Sequence, residues 1–249
     1  MARLDGEMKN FNIGKGGFAF TGARFDKLGA SHYTLATIGL DVSGSISGFE
    51  DKLREMAIMA VESCKKSPMS DSIMIRTILI SSMYPGGVSE IHGFKQLCDI
   101  DTAQYPRFTP GGGTPLNDGC YSGQGATNVF AKDLSEKDFG VNGLFYCITD
   151  GEENMSTATM SMVKDEFEKA VRGEILESMV TILVGINTAH CGAALSSYQQ
   201  KAGFTHYIDA GNATQVKLAK IAGHISQSVS SQSQALGSGA PSQQIAPTI

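Results

Sequence analysis

The stretch Asp41-Val-Ser43-Gly-Ser45 follows directly on the apolar run Leu35-Ala-Thr-Ile-Gly-Leu40, and this junction decides how the chain folds. A short continuous apolar run is typical of a strand that is buried on both faces of a parallel sheet. The loop after it carries one carboxylate and two hydroxyls to the strand tip. These are hard oxygen ligands, the kind that Mg²⁺ and Mn²⁺ prefer. The junction therefore predicts an α/β fold with a cation site at the end of a strand.

Two later segments extend this site. Thr114, within Gly-Gly-Thr-Pro-Leu, supplies another hydroxyl, and Asp150, within Cys-Ile-Thr-Asp-Gly, supplies a second carboxylate after a second apolar run. Each residue alone also fits an ordinary turn or helix-cap role. Because the carboxyl ends of parallel strands meet at one edge of a sheet, where ligands bind, the joint pattern favours a metal site.

In this order, Asp41, Ser43, Ser45, Thr114 and Asp150 resemble the metal-ion-dependent adhesion site (MIDAS) of von Willebrand factor A (vWA) domains. The resemblance implies a Rossmann-like vWA fold, with a central mostly parallel β-sheet, one short antiparallel edge strand and helices on both faces. It also implies that Ser43 and Ser45 bind the ion directly and that Thr114 binds directly in one state and through water in another. Asp41 and Asp150 would hold water ligands.

Composition divides the chain into three parts. The pattern of strands alternating with helices spans 34–230 and is assigned to the vWA domain. Residues 1–33 form a glycine-rich N-terminal arm, either a short hairpin about Gly22 or an arm across the core. Residues 231–249 are rich in serine and glutamine and carry no charge, so we expect a flexible tail. The alternative for this tail is a docking peptide anchored by Ile245 and Ile249.

Several elements follow from periodicity. Strands are expected near 34–41, 73–80, 144–148, 180–184 and 206–208, with a short antiparallel edge strand near 88–91. Helices are expected after a capping box formed by Ser47 and Glu50, after Pro115 as the first helical residue, over 157–176, and near the C-terminus.

Charge and cysteine usage exclude several classes. The net charge is −5 without a basic cluster, which disfavours nucleic-acid binding. No apolar run approaches the roughly 20 residues of a membrane span, and the polar N-terminus is unlike a secretory signal, so we expect a cytoplasmic protein. The 5 cysteines are odd in number and lack Cys-x-x-Cys spacing, so neither disulfides nor a zinc site is indicated. His190-Cys191 is interpreted as a structural or surface pair.

These observations support a non-enzymatic module that captures an Asp or Glu of a protein partner through Mg²⁺ (or Mn²⁺). Domains of this type that act inside cells serve as adaptors, which suggests an AAA+ ATPase or a stress-response complex as partner. The alternative is a structural component of a phage or secretion-type particle. A metal-dependent hydrolase is disfavoured, because the first loop has one carboxylate and no nucleophile pair. Glu152 and Glu153 are expected to be solvated loop acids.

Overall fold

The computed structural model describes residues 8–14, 17–172 and 176–240, and it contains an eight-stranded sheet with helices on both faces. The strands are β1 (Met8–Ile13), β2 (Phe18–Ala23), β3 (His32–Asp41), β4 (Ile73–Ile80), β5 (Val88–Gln96), β6 (Gly140–Thr149), β7 (Ser178–Gly185) and β8 (His206–Asp209). The helices are α1 (Glu50–Lys65), α2 (Leu116–Ser135), α3 (Met160–Arg172), α4 (Gly192–Ala202) and α5 (Gln215–Ser238). This architecture confirms the predicted α/β class. None of the described helices combines the length and apolarity that crossing a bilayer requires.

Strand β3 lies at the centre of the sheet and determines where the site forms. The strand order is β1-β2-β5-β4-β3-β6-β7-β8, and β3 is parallel to both neighbours, β4 and β6. In register, Asp41 lies opposite Ile80 and Leu40 lies opposite Ile148. The carboxyl ends of the central strands therefore meet at one edge. Strand β5 is antiparallel to β4, as expected for the segment near 88–91.

The two faces of the sheet are covered by different helices. Helices α1 and α5 pack on one face, and α2, α3 and α4 pack on the other. The apolar stripe of α1, from Leu53 to Cys64, is fully buried against the sheet. The predicted capping box is wrong: α1 begins after Phe49 without a side-chain cap, and the Ser47 hydroxyl instead donates to the carbonyl of Gly44 at 2.8 Å.

The N-terminal segment belongs to the sheet over its described residues. Strands β1 and β2 form an antiparallel hairpin, and β2 pairs in parallel with β5, so the sheet extends beyond the antiparallel strand that was expected at its edge. The hairpin does not turn about Gly22, which lies within β2. A Cβ there would approach the Phe130 ring to 2.5 Å, so glycine allows close packing on α2. Residues 1–7, 15 and 16 lie outside the described residues.

A buried ion pair fastens this hairpin to the domain. Arg76 on β4 is fully buried, and its Nε donates to Glu90 Oε1 at 2.6 Å. Glu90 Oε2 in turn accepts hydrogen bonds from the backbone N–H and the hydroxyl of Thr21 in β2. The guanidinium also donates to the carbonyl and the hydroxyl of Ser122 in α2. Breaking one of these contacts leaves a buried charge without full compensation, which is strongly destabilising.

Part of the segment predicted to be a flexible C-terminal tail is helical. Helix α5 continues to Ser238, so residues 231–238 are helical and not a flexible tail, while 241–249 lie outside the described residues. Gln232, Ser233 and Ala235 are buried. The Gln232 carbonyl accepts from Asn142 Nδ2 at 3.1 Å, and its side-chain oxygen accepts from Ser178 Oγ at 3.0 Å. Composition was a poor guide here because the polar residue Gln232 finds hydrogen-bond partners in β6 and β7.

Truncation tests this packing. Ending the chain after Ser231 removes the Gln232 acceptors and leaves the buried Asn142 amide unpaired, which costs about 1–3 kcal/mol in addition to lost packing. We expect a melting temperature at least about 5 °C below that of a chain ending after Ala240, measured by thermal denaturation. Equal melting temperatures of the two chains would show that residues 232–240 contribute nothing to stability.

A second buried polar contact lies between β5 and the loop after it. His92 Nδ1 lies 2.9 Å from the carbonyl oxygen of Gly93, and Nε2 lies 2.7 Å from Tyr105 Oη. Because a carbonyl oxygen only accepts, Nδ1 carries the proton and Nε2 accepts from the tyrosine. Burial, with the positive charges of Lys95 and Arg76 adding to it, lowers the pKa of His92 to about 4.

This shift predicts a pH dependence of folding. The unfolded chain takes up a proton at His92 below about 6.5, whereas the folded chain resists it down to about 4. His92 therefore contributes its full share to the free energy of unfolding above about pH 6.5. This contribution falls by roughly 2–3 kcal/mol as the pH falls from there toward about 4. Urea denaturation from pH 7.5 to 4.5 should show a shallower pH dependence for His92→Gln than for the wild type. His190→Gln, at an exposed position, is the control, and identical profiles for wild type and His92→Gln would contradict this account.

Candidate metal site

The structure brings all five predicted residues together at the carboxyl end of β3. Ser43 Oγ lies 3.0 Å from Ser45 Oγ and accepts a 3.0 Å hydrogen bond from Thr114 Oγ1. Ser45 Oγ donates to Asp150 Oδ1 at 2.6 Å. Asp41 Oδ1 accepts from the backbone N–H of Ser43 at 2.9 Å. Three loops that are distant in sequence therefore contribute to one cluster of three hydroxyls and two carboxylates.

Asp41 lies at the buried end of the cluster. Its side chain is 0% exposed, and its second oxygen accepts a 2.6 Å hydrogen bond from Thr149 Oγ1 on the neighbouring strand β6. Burial raises the pKa of Asp41 to about 6, although the hydrogen bonds from Thr149 and Ser43 act in the opposite direction. The sequence analysis missed Thr149, and its position directly before Asp150 at a strand end was the available signal.

Asp150 forms the more open side of the cluster. Partial burial raises its pKa, while the hydrogen bond from Ser45 lowers it. Its backbone carbonyl accepts a contact of 3.3 Å from Cys191 Sγ, which gives this cysteine a structural role as predicted for the His190-Cys191 pair. Within the described part of the chain, no lysine, arginine or histidine forms an ion pair with either Asp41 or Asp150.

Thr114 is held in place through its backbone. Its N–H donates to Asn154 Oδ1 at 2.8 Å, and its carbonyl accepts from the N–H of Asn154 at 3.1 Å. On the opposite side, the N–H of Gly44 donates to the carbonyl of Gly112 at 3.0 Å. A Cβ at position 151 would lie 2.9 Å from Thr114 Oγ1, so Gly151 leaves room for the hydroxyl. Asn154 was another residue that the sequence analysis missed.

Glu153 was predicted to be a solvated loop acid, but its carboxylate has a structural role. Its carboxylate accepts hydrogen bonds from the backbone N–H groups of Asn117, Met155 and Ser156 and from the Ser156 hydroxyl, at 2.6–3.1 Å. Asn117 lies in the first turn of α2, where backbone donors lack helical partners. Glu153 therefore caps α2 and fixes the loop after Asp150. Its neighbour Glu152 is exposed, as predicted.

A reciprocal contact completes this attachment. The buried carboxylate of Asp118 in α2 accepts from the N–H groups of Thr157 and Ala158, while its own N–H donates to Ser156 Oγ. Burial raises the pKa of Asp118, against these hydrogen bonds. Helix α2 begins at Leu116, so the residue expected as its first, Pro115, occupies the cap position instead.

The donor set fits a hard divalent cation. It contains only oxygen atoms, and its two carboxylates lack a cationic partner in the described residues, so a bound cation would compensate the desolvation of Asp41. No group of three or more His, Cys, Asp or Glu side chains in the described ranges is arranged to hold a metal ion. A site here would therefore depend on hydroxyls, with Ser43, Ser45 and Thr114 nearest to the ion.

Comparison with known proteins supports the fold. The pilus adhesin SpaC from Lactobacillus rhamnosus GG, in its open conformation, matches with a TM-score of 0.61 and 12% identity over 86% of this chain and 31% of that chain. Proximal thread matrix protein 1 (PTMP1) from the mussel byssus matches with a TM-score of 0.52 and 15% identity over 80% of this chain and 47% of that chain. PTMP1 with a zinc-occupied MIDAS motif reaches a TM-score of 0.49, which is too low to carry an argument.

Sequence comparison adds no relative. Neither a protein-family model nor a curated protein sequence matches this chain. The chain spans less than half of the length of the two neighbours described above. At these identities the likeness shows the fold alone, and the fold of this chain is vWA-like.

Ion binding can be tested with two variants of the same loop. Ser43→Ala with Ser45→Ala removes two of the three clustered hydroxyls, whereas Ser47→Ala removes a nearby exposed hydroxyl that donates to the Gly44 carbonyl. We expect the double variant to bind Mn²⁺ at least about tenfold more weakly than wild type and Ser47→Ala to bind normally. Calorimetry or Mn²⁺-induced NMR broadening measures this, and equal binding by all three proteins would exclude a site at this cluster.

Proposed function

We propose that this chain is a Mg²⁺-dependent (or Mn²⁺-dependent) protein-interaction module that captures an acidic side chain of a partner through its metal ion. One observation carries the proposal: the hydroxyl cluster is buried on the side of Asp41 and opens to solvent at Ser45 and Gly44, both exposed. An ion held by this cluster has an outer side that faces solvent. A partner can therefore reach it without rearrangement of the core.

The ligand chemistry explains why the partner group would be acidic. Neutral hydroxyls withdraw little charge from a divalent ion, so the ion remains strongly positive toward solvent. A carboxylate from a partner then replaces a water and supplies the missing negative charge. Because the hydroxyl-rich site binds the ion weakly alone, ion and partner should bind cooperatively, each raising the affinity of the other.

The same contacts argue for binding over catalysis. In the described residues, every hydrogen bond at the five site residues is donated by a hydroxyl, a thiol or a backbone N–H, and Asn154 takes part through its side-chain oxygen, which accepts from the N–H of Thr114. No histidine or lysine in these contacts acts as a general base for a water or a hydroxyl nucleophile. We therefore propose a non-enzymatic adaptor within a larger complex, with an AAA+ ATPase or a stress-response assembly as the partner class. A cytoplasmic location stays a prediction.

Thr114→Ala tests partner capture. The change removes the hydroxyl that donates to Ser43 and leaves the backbone contacts with Asn154 in place. If the partner's carboxylate binds the ion, losing this oxygen should weaken capture by roughly 1.5–3 kcal/mol, about ten- to a hundredfold. Immobilised protein is incubated with native lysate in Mg²⁺ or in EDTA, and the captured protein is quantified.

The control is Thr109→Ala, at an exposed threonine of the loop that leads into the glycines. It should capture as the wild type does. EDTA should abolish capture by wild type and add little to the loss in Thr114→Ala. Full capture by Thr114→Ala in EDTA would place partner binding on another surface and refute the proposed role of the ion.

A further inference from the structure

Two exposed methionines lie against the glycine loop at 111–113, which leads to the proposed metal site. The large apolar side chains exposed in the described residues are Met59, Met83, Met155 and Val216. Met83 and Met155 are 48% and 57% exposed, and both contact the loop at 111–113 that precedes Thr114. Two of the four exposed apolar side chains therefore lie together beside the loop that leads to Thr114.

The glycines make room for these side chains. A Cβ at Gly111 would lie 2.5 Å from Met83 Sδ, and a Cβ at Gly113 would lie 2.4 Å from Met155 Cγ. Both distances are shorter than real contacts, so any other residue would push the methionines aside. Each methionine therefore lies against a bare stretch of backbone, one at either end of this loop.

Hydrogen bonds fix the loop between the two methionine-bearing segments. On one side, the N–H of Gly113 donates to Ser82 Oγ at 2.8 Å, and the N–H of Ser82 donates to the Gly113 carbonyl at 3.1 Å. On the other side, Thr114 and Asn154 form their reciprocal pair. Met83 and Met155 directly follow Ser82 and Asn154. Both methionines are thus held beside the glycine loop that leads to Thr114, and their unbranched side chains remain adaptable.

We propose, on the basis of the function proposed above, that the partner presents its acidic residue within an apolar stretch of chain, whose neighbouring side chains pack on Met83 and Met155. In an extended segment successive residues are about 3.3 Å apart, so the residues one or two positions from the acid are those placed to contact Met83 and Met155, which we call the rim of the site. Methionine is unbranched and polarizable, and therefore accepts apolar side chains of different shape.

Charge restricts the partner further. Glu152 is exposed two residues after Asp150, and it lies on the segment that continues to Met155. A second acidic residue beside the captured one would meet this carboxylate, and like charges at such short range disfavour binding. The recognised segment thus carries one acid with apolar neighbours, which distinguishes it from an acidic cluster.

A displayed library of random dodecapeptides tests this specificity directly. The protein is panned in Mg²⁺, bound phage are eluted with EDTA, and the residues on either side of each Asp or Glu are counted. We expect enrichment of Leu, Ile, Phe or Met within two positions of a single acid. Enrichment of acids without an apolar preference would overturn this inference and leave the proposed function standing. The absence of any EDTA-eluted sequence would overturn both.

Variants then assign the preference to the methionines. Synthetic peptides from the enriched set are titrated against wild type, Met83→Ser with Met155→Ser, and Met59→Ser as the matched control at an exposed methionine of α1. The affinity of the double variant for the peptides should fall at least about tenfold, because two apolar contacts are lost. Its affinity for Mn²⁺ should stay unchanged. Wild-type affinity in the double variant, or an equal loss in Met59→Ser, would refute the role of the rim.

Discussion

The buried carboxylate of Asp41 is the constraint around which the rest of the site is arranged. A desolvated carboxylate is unfavourable unless hydrogen bonds and a cation compensate it. Thr149 supplies one hydrogen bond across the β3–β6 pairing and the backbone of Ser43 supplies another, which together fix the turn that follows β3. This turn directs the hydroxyls of Ser43 and Ser45 to one point. The remaining charge of Asp41 makes that point attractive to a cation.

A second set of hydrogen bonds fixes the loop after β6 at the surface of the domain. Glu153 and Asp118 bind the loop after β6 to the first turn of α2, and Asn154 binds the same loop to Thr114. Thr114 thus depends on a loop more than thirty residues away in sequence, and Met155 belongs to that same loop. The position of the hydroxyl and the position of the rim are therefore determined together. A partner that contacts one of them would also affect the other.

The sequence was sufficient for features whose signal is local. The apolar runs ending in Asp41 and Asp150 predicted two buried strands, and the parallel pairing of β3 and β6 places those ends side by side. The features that it missed depend on distant contacts. Glu153 has the same local composition around it as the exposed Glu152, but its carboxylate also accepts from the backbone N–H of Asn117 in α2, a contact that no local pattern signals. Residues 231–238 were misassigned because their polar composition does not show that Gln232 finds partners in Asn142 and Ser178, which are distant in sequence.

The pairing of β3 with β6 also has a consequence for synthesis on the ribosome. Asp41 and Thr149 are separated by 108 positions, and the contact between Ser45 and Asp150 spans 105. The first loop of the site is therefore translated long before the residues that complete it. Until the chain has been extended past β6, Thr149 and Asp150 are absent. Asp41 and Ser45 then lack the hydrogen-bond partners that complete the cluster. If the cluster binds an ion as proposed, ion binding would therefore report a chain that is translated and folded through its central strands.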